Sequence, residues 1–269
     1  MHFSVLIPLY IKNKAEEVAL TLRSIWDDQA LKPDEIVIVK DGPLEPSLDD
    51  FLQEQAKKLP ISFVVLETAQ GLGNALRHGV PACKNEIIAR MDGDDIAKPN
   101  RFSLQIPYLE QHPEIGILGG NISEFCDDPT QIKGHRIVPQ NMDEILKFIR
   151  FRNPFNHMTV CFRKSLILEN GNYIQLAGYE DYWLWARCLS HGVIGANLPD
   201  ILVNARTGGM VSRRKGMKIV KADIKLSHEL HKLGIISFPG MIRNILLRII
   251  LLSIPVPLLG KIYQKFLRN

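Results

Sequence analysis

The 269-residue chain contains only four cysteines, Cys83, Cys126, Cys161 and Cys188, with no C-x-x-C and no histidine at zinc spacing. That excludes a zinc-finger or disulfide scaffold and fits reduced, mostly buried thiols in a cytosolic protein. The N-terminus lacks a basic segment followed by a small-residue cleavage site, so no signal peptide is expected; Phe3 to Tyr10 reads as a first strand. There is no P-loop. Gly71-Leu-Gly-Asn-Ala-Leu-Arg-His-Gly79 fails as a dinucleotide fingerprint, because Leu76 stands at the third glycine and the segment follows the third strand, not the first. The longest uncharged run in the tail, Ile249–Gly260, is 12 residues, short of the roughly 20 needed to span a bilayer. Aromatics make up 7% of the chain, and the basic residues of the tail lie beside aliphatic runs, so no nucleic-acid partner is expected.

Acids are scarce in one place. Residues 206–269 hold 13 Lys and Arg against two acids, Asp223 and Glu229, whereas the remainder holds 20 against 27. An acidic body with a basic C-terminal quarter points to a polyanionic surface or substrate. From residue 241 the chain is apolar and basic with no acid, broken by Pro255 and Pro257. Lys261, Lys265 and Arg268 then fall on one helical face. Two short amphipathic helices of this kind suit the plane of a membrane surface. The alternative is a hairpin packed on the body or on a second subunit.

What is present is an alternation of strands and helices. Strands are expected at Phe3–Pro8, Glu35–Lys40, Ser62–Glu67, Glu86–Met91 and Ile115–Gly119. Helices are expected at Ala15–Gln29, Ser47–Lys58, Gly71–Cys83 and Pro99–Gln111. This rhythm predicts an α/β fold with a mostly parallel sheet flanked by helices. Further on, Asn141–Arg150, Arg163–Asn170, Asp181–His191 and Lys218–Leu233 read as helices, and Gly208–Gly216 as a basic loop.

The fourth strand ends in Met91-Asp-Gly-Asp-Asp95. Acid pairs recur at Asp27-Asp28, Asp49-Asp50 and Asp127-Asp128, where solvated turns or caps explain them. Only Asp94-Asp95 follows an apolar run and has a third acid, Asp92, two residues earlier. Ile96 and Ala97 rule out an EF-hand loop. Oxygen ligands at the end of a strand suit Mg²⁺ or Mn²⁺, which can neutralise a diphosphate leaving group. Asp41 ends the second strand on the same edge, as a turn residue or as an acceptor for a nucleotide base. Glu180 and Asp181 open a helix, where acids favour the dipole or serve as a general base. His157 reads as structural, and His228 and His231 as solvated.

Together the motifs Ser4-Val-Leu-Ile-Pro-Leu-Tyr10, Val39-Lys-Asp-Gly-Pro43, Met91-Asp-Gly-Asp-Asp95 and Gly178-Tyr-Glu-Asp-Tyr-Trp-Leu-Trp185 resemble those of the family 2 inverting glycosyltransferases, which have the GT-A fold. Arg152-Asn-Pro-Phe-Asn-His-Met-Thr-Val160 and Arg213-Arg-Lys-Gly216 resemble the amylovoran and exopolysaccharide branch. The resemblance covers about residues 3–217. It implies a glycosyltransferase domain over 1–217, with a nucleotide-sugar half at 1–120 and an acceptor half at 121–217, followed by basic helices at 218–269. It implies a nucleotide-sugar donor, with UDP the expected nucleotide, contacted from Pro8, Tyr10 and Asp41. Asp92 and Asp94 would form the D-x-D motif, with Asp94 the main ligand of Mg²⁺ or Mn²⁺, Asp92 nearer the ribose and Asp95 in support. Asp181 would be the base with Glu180 beside it, and Arg206, Arg213 and Arg214 would close over the diphosphate. Lys40 departs from the pattern, since many relatives carry an acid there. The implied acceptor is a lipid-linked saccharide, with the protein peripheral on the cytoplasmic face of an anionic membrane.

Two other readings compete. A sugar-phosphate nucleotidyltransferase would want a glycine-rich loop after the first strand, and Pro8-Leu-Tyr-Ile-Lys12 has no glycine. A non-catalytic scaffold would not need the full acid set.

Overall fold

A computed structural model describes residues 1–208 and 217–253. The first half alternates as the sequence predicts: β1 (Phe3–Leu9), α1 (Ala15–Ile25), β2 (Glu35–Asp41), α2 (Pro46–Ala56), β3 (Ile61–Leu66), α3 (Leu72–Ala82) and β4 (Ile87–Arg90). A two-residue strand β5 (Ile96–Ala97), α4 (Arg101–Gln111), β6 (Ile115–Phe125) and β7 (Gly134–Arg136) follow. Then come α5 (Met142–Phe148), β8 (Cys161–Arg163), α6 (Lys164–Glu169), α7 (Glu180–Ser190), β9 (Ile194–Arg206), α8 (Met217–Lys232) and α9 (Phe238–Ser253).

One sheet runs β3-β2-β1-β4-β8-β6-β9-β5, with β7 beside β6. β1 pairs parallel with β2 and β4, and β2 with β3. β8 enters antiparallel between β4 and β6, and β9 returns parallel to β6. Central strands covered on both faces need near-continuous apolar sequence; all seven residues of β1 and of β2 are buried. Alternate residues serve opposite cores. Val5, Ile7, Ile36 and Ile38 pack toward α1, α2 and α4, and Leu6, Val37, Val39 and Ile88 toward α3 and α5 through α9.

Three expectations needed correction. The fifth strand does not stop at Gly119 but runs to Phe125. β8 and the 13-residue β9 were absent from the sequence reading. The terminal apolar helix begins at Phe238, not Met241. Among the described residues, no helix is long and apolar enough to cross a membrane. Arg213, Arg214, Pro255, Pro257 and the expected helix at Leu258–Arg268 lie outside the described residues.

Candidate active site

Because β1, β2 and β4 are parallel, their C-terminal ends share one edge, the ligand edge of such a sheet. That edge carries Pro8 and Tyr10, then Asp41, then Arg90 through Asp95. Pro8 is buried and Tyr10 is exposed, with its N–H bonded to Asn13 Oδ1 at 2.8 Å. The Asp41 carboxylate accepts from the N–H groups of Gln70 at 2.6 Å and Gly71 at 2.9 Å, at the entry to α3. Two bonds leave a carboxylate with free acceptor sites, so Asp41 shapes the loop and can still receive a base N–H. Lys40 turns the other way. It pairs with Asp49 of α2 and lies 4.4 Å from the Phe63 ring centroid, so this departure from the family pattern is absorbed inside the fold.

The three acids divide their work. Asp92 is half-buried and paired with Arg90. Asp94 is half-buried. Asp95 is buried, and its Oδ1 accepts the Arg206 N–H at 2.7 Å while its carbonyl accepts the Thr21 hydroxyl at 2.8 Å. It therefore ties the acid loop to β9 and α1. Burial, with the charges of Asp92 and Asp94, holds the Asp95 carboxyl well above the usual range. Gly93 allows this crowding: a Cβ there would lie 2.2 Å from Leu9 Cδ2.

The donor set fits a hard divalent cation bound jointly with a substrate. Asp92 and Asp94 are oxygen donors, and the buried Asp95 Oδ2 has no hydrogen-bond partner. The described residues contain no cluster of three or more groups able to hold a metal unaided. Mg²⁺ bound by one or two carboxylates completes its shell with substrate phosphate and water.

The Glu180 and Asp181 carboxylates are built on α7. Trp185 is fully buried and packs edge-on against Phe155 at 5.7 Å, with His157 at 6.2 Å and Tyr173 at 6.3 Å. Truncating such a ring typically costs about 3–5 kcal/mol, so the first turn of α7 stands on a rigid base. Asp181 projects from that turn with Oδ2 accepting from Asn153 Nδ2 at 2.5 Å and Oδ1 from the Tyr182 N–H at 2.8 Å. Burial raises its pKa, while the Tyr182 N–H and the positive charges of Arg90 and Arg136 pull against it. Glu180 is turned toward α3. Gln175 Nε2 donates to its Oε1 at 2.8 Å, and a Cβ on Gly73 would meet its Cγ at 2.7 Å. Burial pushes the Glu180 carboxyl up to about 7.

Arg90 joins the two sides. It is fully buried, pairs with Asp92, and its charge reaches Asp95, Tyr173, His157 and Asp181. Its Nε and Nη1 have no hydrogen-bond partner. The sequence reading missed Arg90, although it immediately precedes the acid motif Met91–Asp95. It gave no role to Asn153, although the segment Arg152–Val160 was marked by resemblance, and it missed Tyr173 and Gln175, which no local pattern marks. His157 is structural as expected, with Nε2 2.9 Å from the Tyr173 hydroxyl and a pKa held well below the usual range by burial. His231 is not simply solvated: its Nδ1 lies 3.0 Å from the Ile236 carbonyl and its ring packs edge-on to Phe238. Arg206 reaches the acid loop. Its guanidinium donates to the carbonyls of Asp94, Cys126 and Asp127 and lies 3.6 Å from Glu17.

Residues 4–169 match the model of glycosyl transferase family 2. The chain is 40% identical over 98% of its length to the amylovoran biosynthesis glycosyltransferase AmsE of Erwinia amylovora, covering 98% of it. It is 33% identical over 99% of its length to an Escherichia coli UDP-Gal:alpha-D-GlcNAc-diphosphoundecaprenol beta-1,3-galactosyltransferase, covering 97% of it. In structure it is similar to residues 1–349 of S. aureus TarS in complex with UDP-GlcNAc. There the TM-score is 0.64 at 20% identity, covering 85% of this chain and 66% of that one. The acid edge, the α7 carboxylates and these likenesses lead to one conclusion: the chain belongs to glycosyltransferase family 2 and has a fold of the GT-A type.

Proposed function

We propose that the enzyme transfers a sugar, with inversion, from a UDP-sugar to a hydroxyl of a lipid-linked saccharide during surface-polysaccharide assembly. The catalytic unit would be 1–217, with 218–269 serving attachment. The observation that carries the mechanism is the shared charge environment of Asp92 and Asp181 around buried Arg90. This supports placing a donor-side carboxylate and a base candidate in one site, and among the described residues no carboxylate besides Glu180 lies beside Asp181 on α7 to serve as a nucleophile. UDP and the lipid-linked acceptor come from what the galactosyltransferase relative uses and from the UDP-GlcNAc held by TarS.

Asn153 and the Tyr182 N–H fix the orientation of Asp181. Asp181 takes the proton of the acceptor hydroxyl as that oxygen attacks the anomeric carbon. The bond to the diphosphate breaks on the opposite face, so one displacement inverts the centre, as in the inverting glycosidases with a sugar hydroxyl in place of water. A carboxyl whose pKa is raised by burial is a better base than a free one. Asp92 and Asp94 would hold Mg²⁺ or Mn²⁺, which supplies positive charge against the leaving diphosphate when bound. Asp41 would receive the base, with Pro8 and Tyr10 at the same edge. Arg206, with Arg213 and Arg214, would lend cationic charge near the phosphates.

The test is Asp181→Asn, which keeps shape and removes basicity. Turnover should fall by at least about 10²-fold with donor affinity little changed. Lost donor binding with turnover intact at saturation would move Asp181 to donor recognition. A hydrolysis screen over UDP-, GDP- and dTDP-sugars identifies the nucleotide.

A further inference from the structure

The terminal helix α9 is apolar on two sides, and only one of them is covered by the described residues. On the inner side Met241 is buried and Ile245 packs against the core. On the outer side Ile242, Leu246 and Leu247 are 40%, 52% and 51% exposed. Beside them Phe151, 59% exposed, lies with its ring centroid 4.4 Å from the Arg243 guanidinium. An i, i+4 relation puts Leu247 next to Arg243 and Leu246 next to Ile242, so the four apolar side chains form one patch with Arg243 in its midst. A helix that is hydrophobic all round is ordinarily covered all round.

The rim identifies the cover. Lys147 and Arg150 are exposed beside Phe151, and α9 carries no acid. An occupant with an apolar interior and an anionic surface complements this arrangement, which describes a bilayer containing acidic lipids. The helix is 16 residues, about 24 Å long, and not of spanning character, so it would lie in the interface plane.

The same patch is linked to Asp181 through one short segment. Asn244 Nδ2 donates to the Arg150 carbonyl at 3.1 Å. Three residues further along, Asn153 Nδ2 donates to Asp181, and Arg136 Nη2 holds the Asn153 carbonyl at 2.7 Å. The segment 150–153 thus connects the outer apolar patch with the residue that positions Asp181.

We infer that Phe151, Ile242, Leu246 and Leu247, rimmed by Lys147, Arg150 and Arg243, form a docking face for an anionic bilayer. Seated there, the enzyme presents its Asp181 side to the headgroup region where a lipid-linked hydroxyl resides. The inference rests on the proposed lipid-linked acceptor, but its test does not.

Full-length protein is sedimented with phosphatidylcholine vesicles, with and without phosphatidylglycerol. Wild type should bind the anionic vesicles about tenfold or more tightly than the neutral ones. Leu246→Asp with Leu247→Asp should weaken anionic binding about tenfold or more. Phe151→Ser, an exposed change that leaves α9 untouched, should weaken it severalfold. Hydrolysis of the UDP-sugar in solution serves as the separate reading of the enzyme proposal and should be unchanged in every variant. Wild-type binding retained by Phe151→Ser overturns the docking face, whether or not the double variant folds. A wild-type dimer that the leucine changes dissociate overturns it too, by assigning the patch to a second copy. Vesicle binding without any donor hydrolysis would leave the face standing and reject the proposed activity.

Discussion

The proposed donor edge and the proposed acceptor edge of the site are built differently. At the donor edge, carboxylates are fixed largely by main-chain groups: Asp41 by the amides of Gln70 and Gly71, Asp95 by that of Arg206. At the acceptor edge, side chains from other segments share in the positioning: Asn153, with the Tyr182 amide, on Asp181, and Gln175 on Glu180. Main-chain geometry is common to any sequence that folds this way, whereas side-chain partners change with single substitutions. The positions of Asp41 and Asp95 therefore depend less on neighbouring side chains than those of Asp181 and Glu180 do. Arg90 is the exception, a side chain buried beneath both.

The largest effect should come from the donor edge. Asp94→Ala should abolish transfer and leave the thermal unfolding midpoint near wild type, since Asp94 sits at the sheet edge and not in a core. Full activity in that variant, or of wild type in excess chelator, would end the metal assignment.

Arg90→Gln should have the next largest effect and sharpen the link between the edges. Removing a positive charge that favours the ionised form of Asp181 raises the pKa of that base, so the acidic limb of the kcat profile should move to higher pH. A lower rate with an unmoved limb would confine Arg90 to anchoring Asp92.

Glu180→Gln should have the smallest effect on rate and a clear one on stability. Glu180 is pushed up to about 7 from an ordinary value of 4.5. The folded state thus binds the proton more tightly than the unfolded chain, and stability falls as pH rises from about 4.5 through about 7. Glutamine removes that slope while still able to accept from Gln175. Denaturant unfolding at pH 5 and pH 8 should show wild type losing more stability than the variant over this interval, by a few kcal/mol at most. Equal losses would mean that Glu180 ionises freely.

The same contrast explains what the sequence made legible. The acid edge could be read because it follows strands with apolar centres, Val5–Ile7 in Phe3–Leu9 and Ile36–Val39 in Glu35–Asp41. β9 was hidden because Asn197, Pro199 and Asp200 interrupt its pattern. Those interruptions are bonded or irregular in the fold: Asn197 Nδ2 donates to the carbonyls of Pro139 and Pro154, and the register against β6 shifts nearby. β8 was hidden by its length of three residues. Asp181 was found through its motif, but Asn153 lies 28 positions away and Tyr173 reaches His157 across 16. Pairings of that kind leave no local periodicity. Arg90 escaped because a lone arginine before an acid motif reads as a solvated charge until its burial is seen.

The claim on which the rest depends is a single displacement driven by Asp181. It is tested most directly by the anomeric configuration of the product, read from proton coupling by NMR for a sugar whose axial and equatorial couplings differ. An α-linked UDP-sugar should yield the β-glycoside. An α-glycoside would contradict both the one-step mechanism and the role given to Asp181.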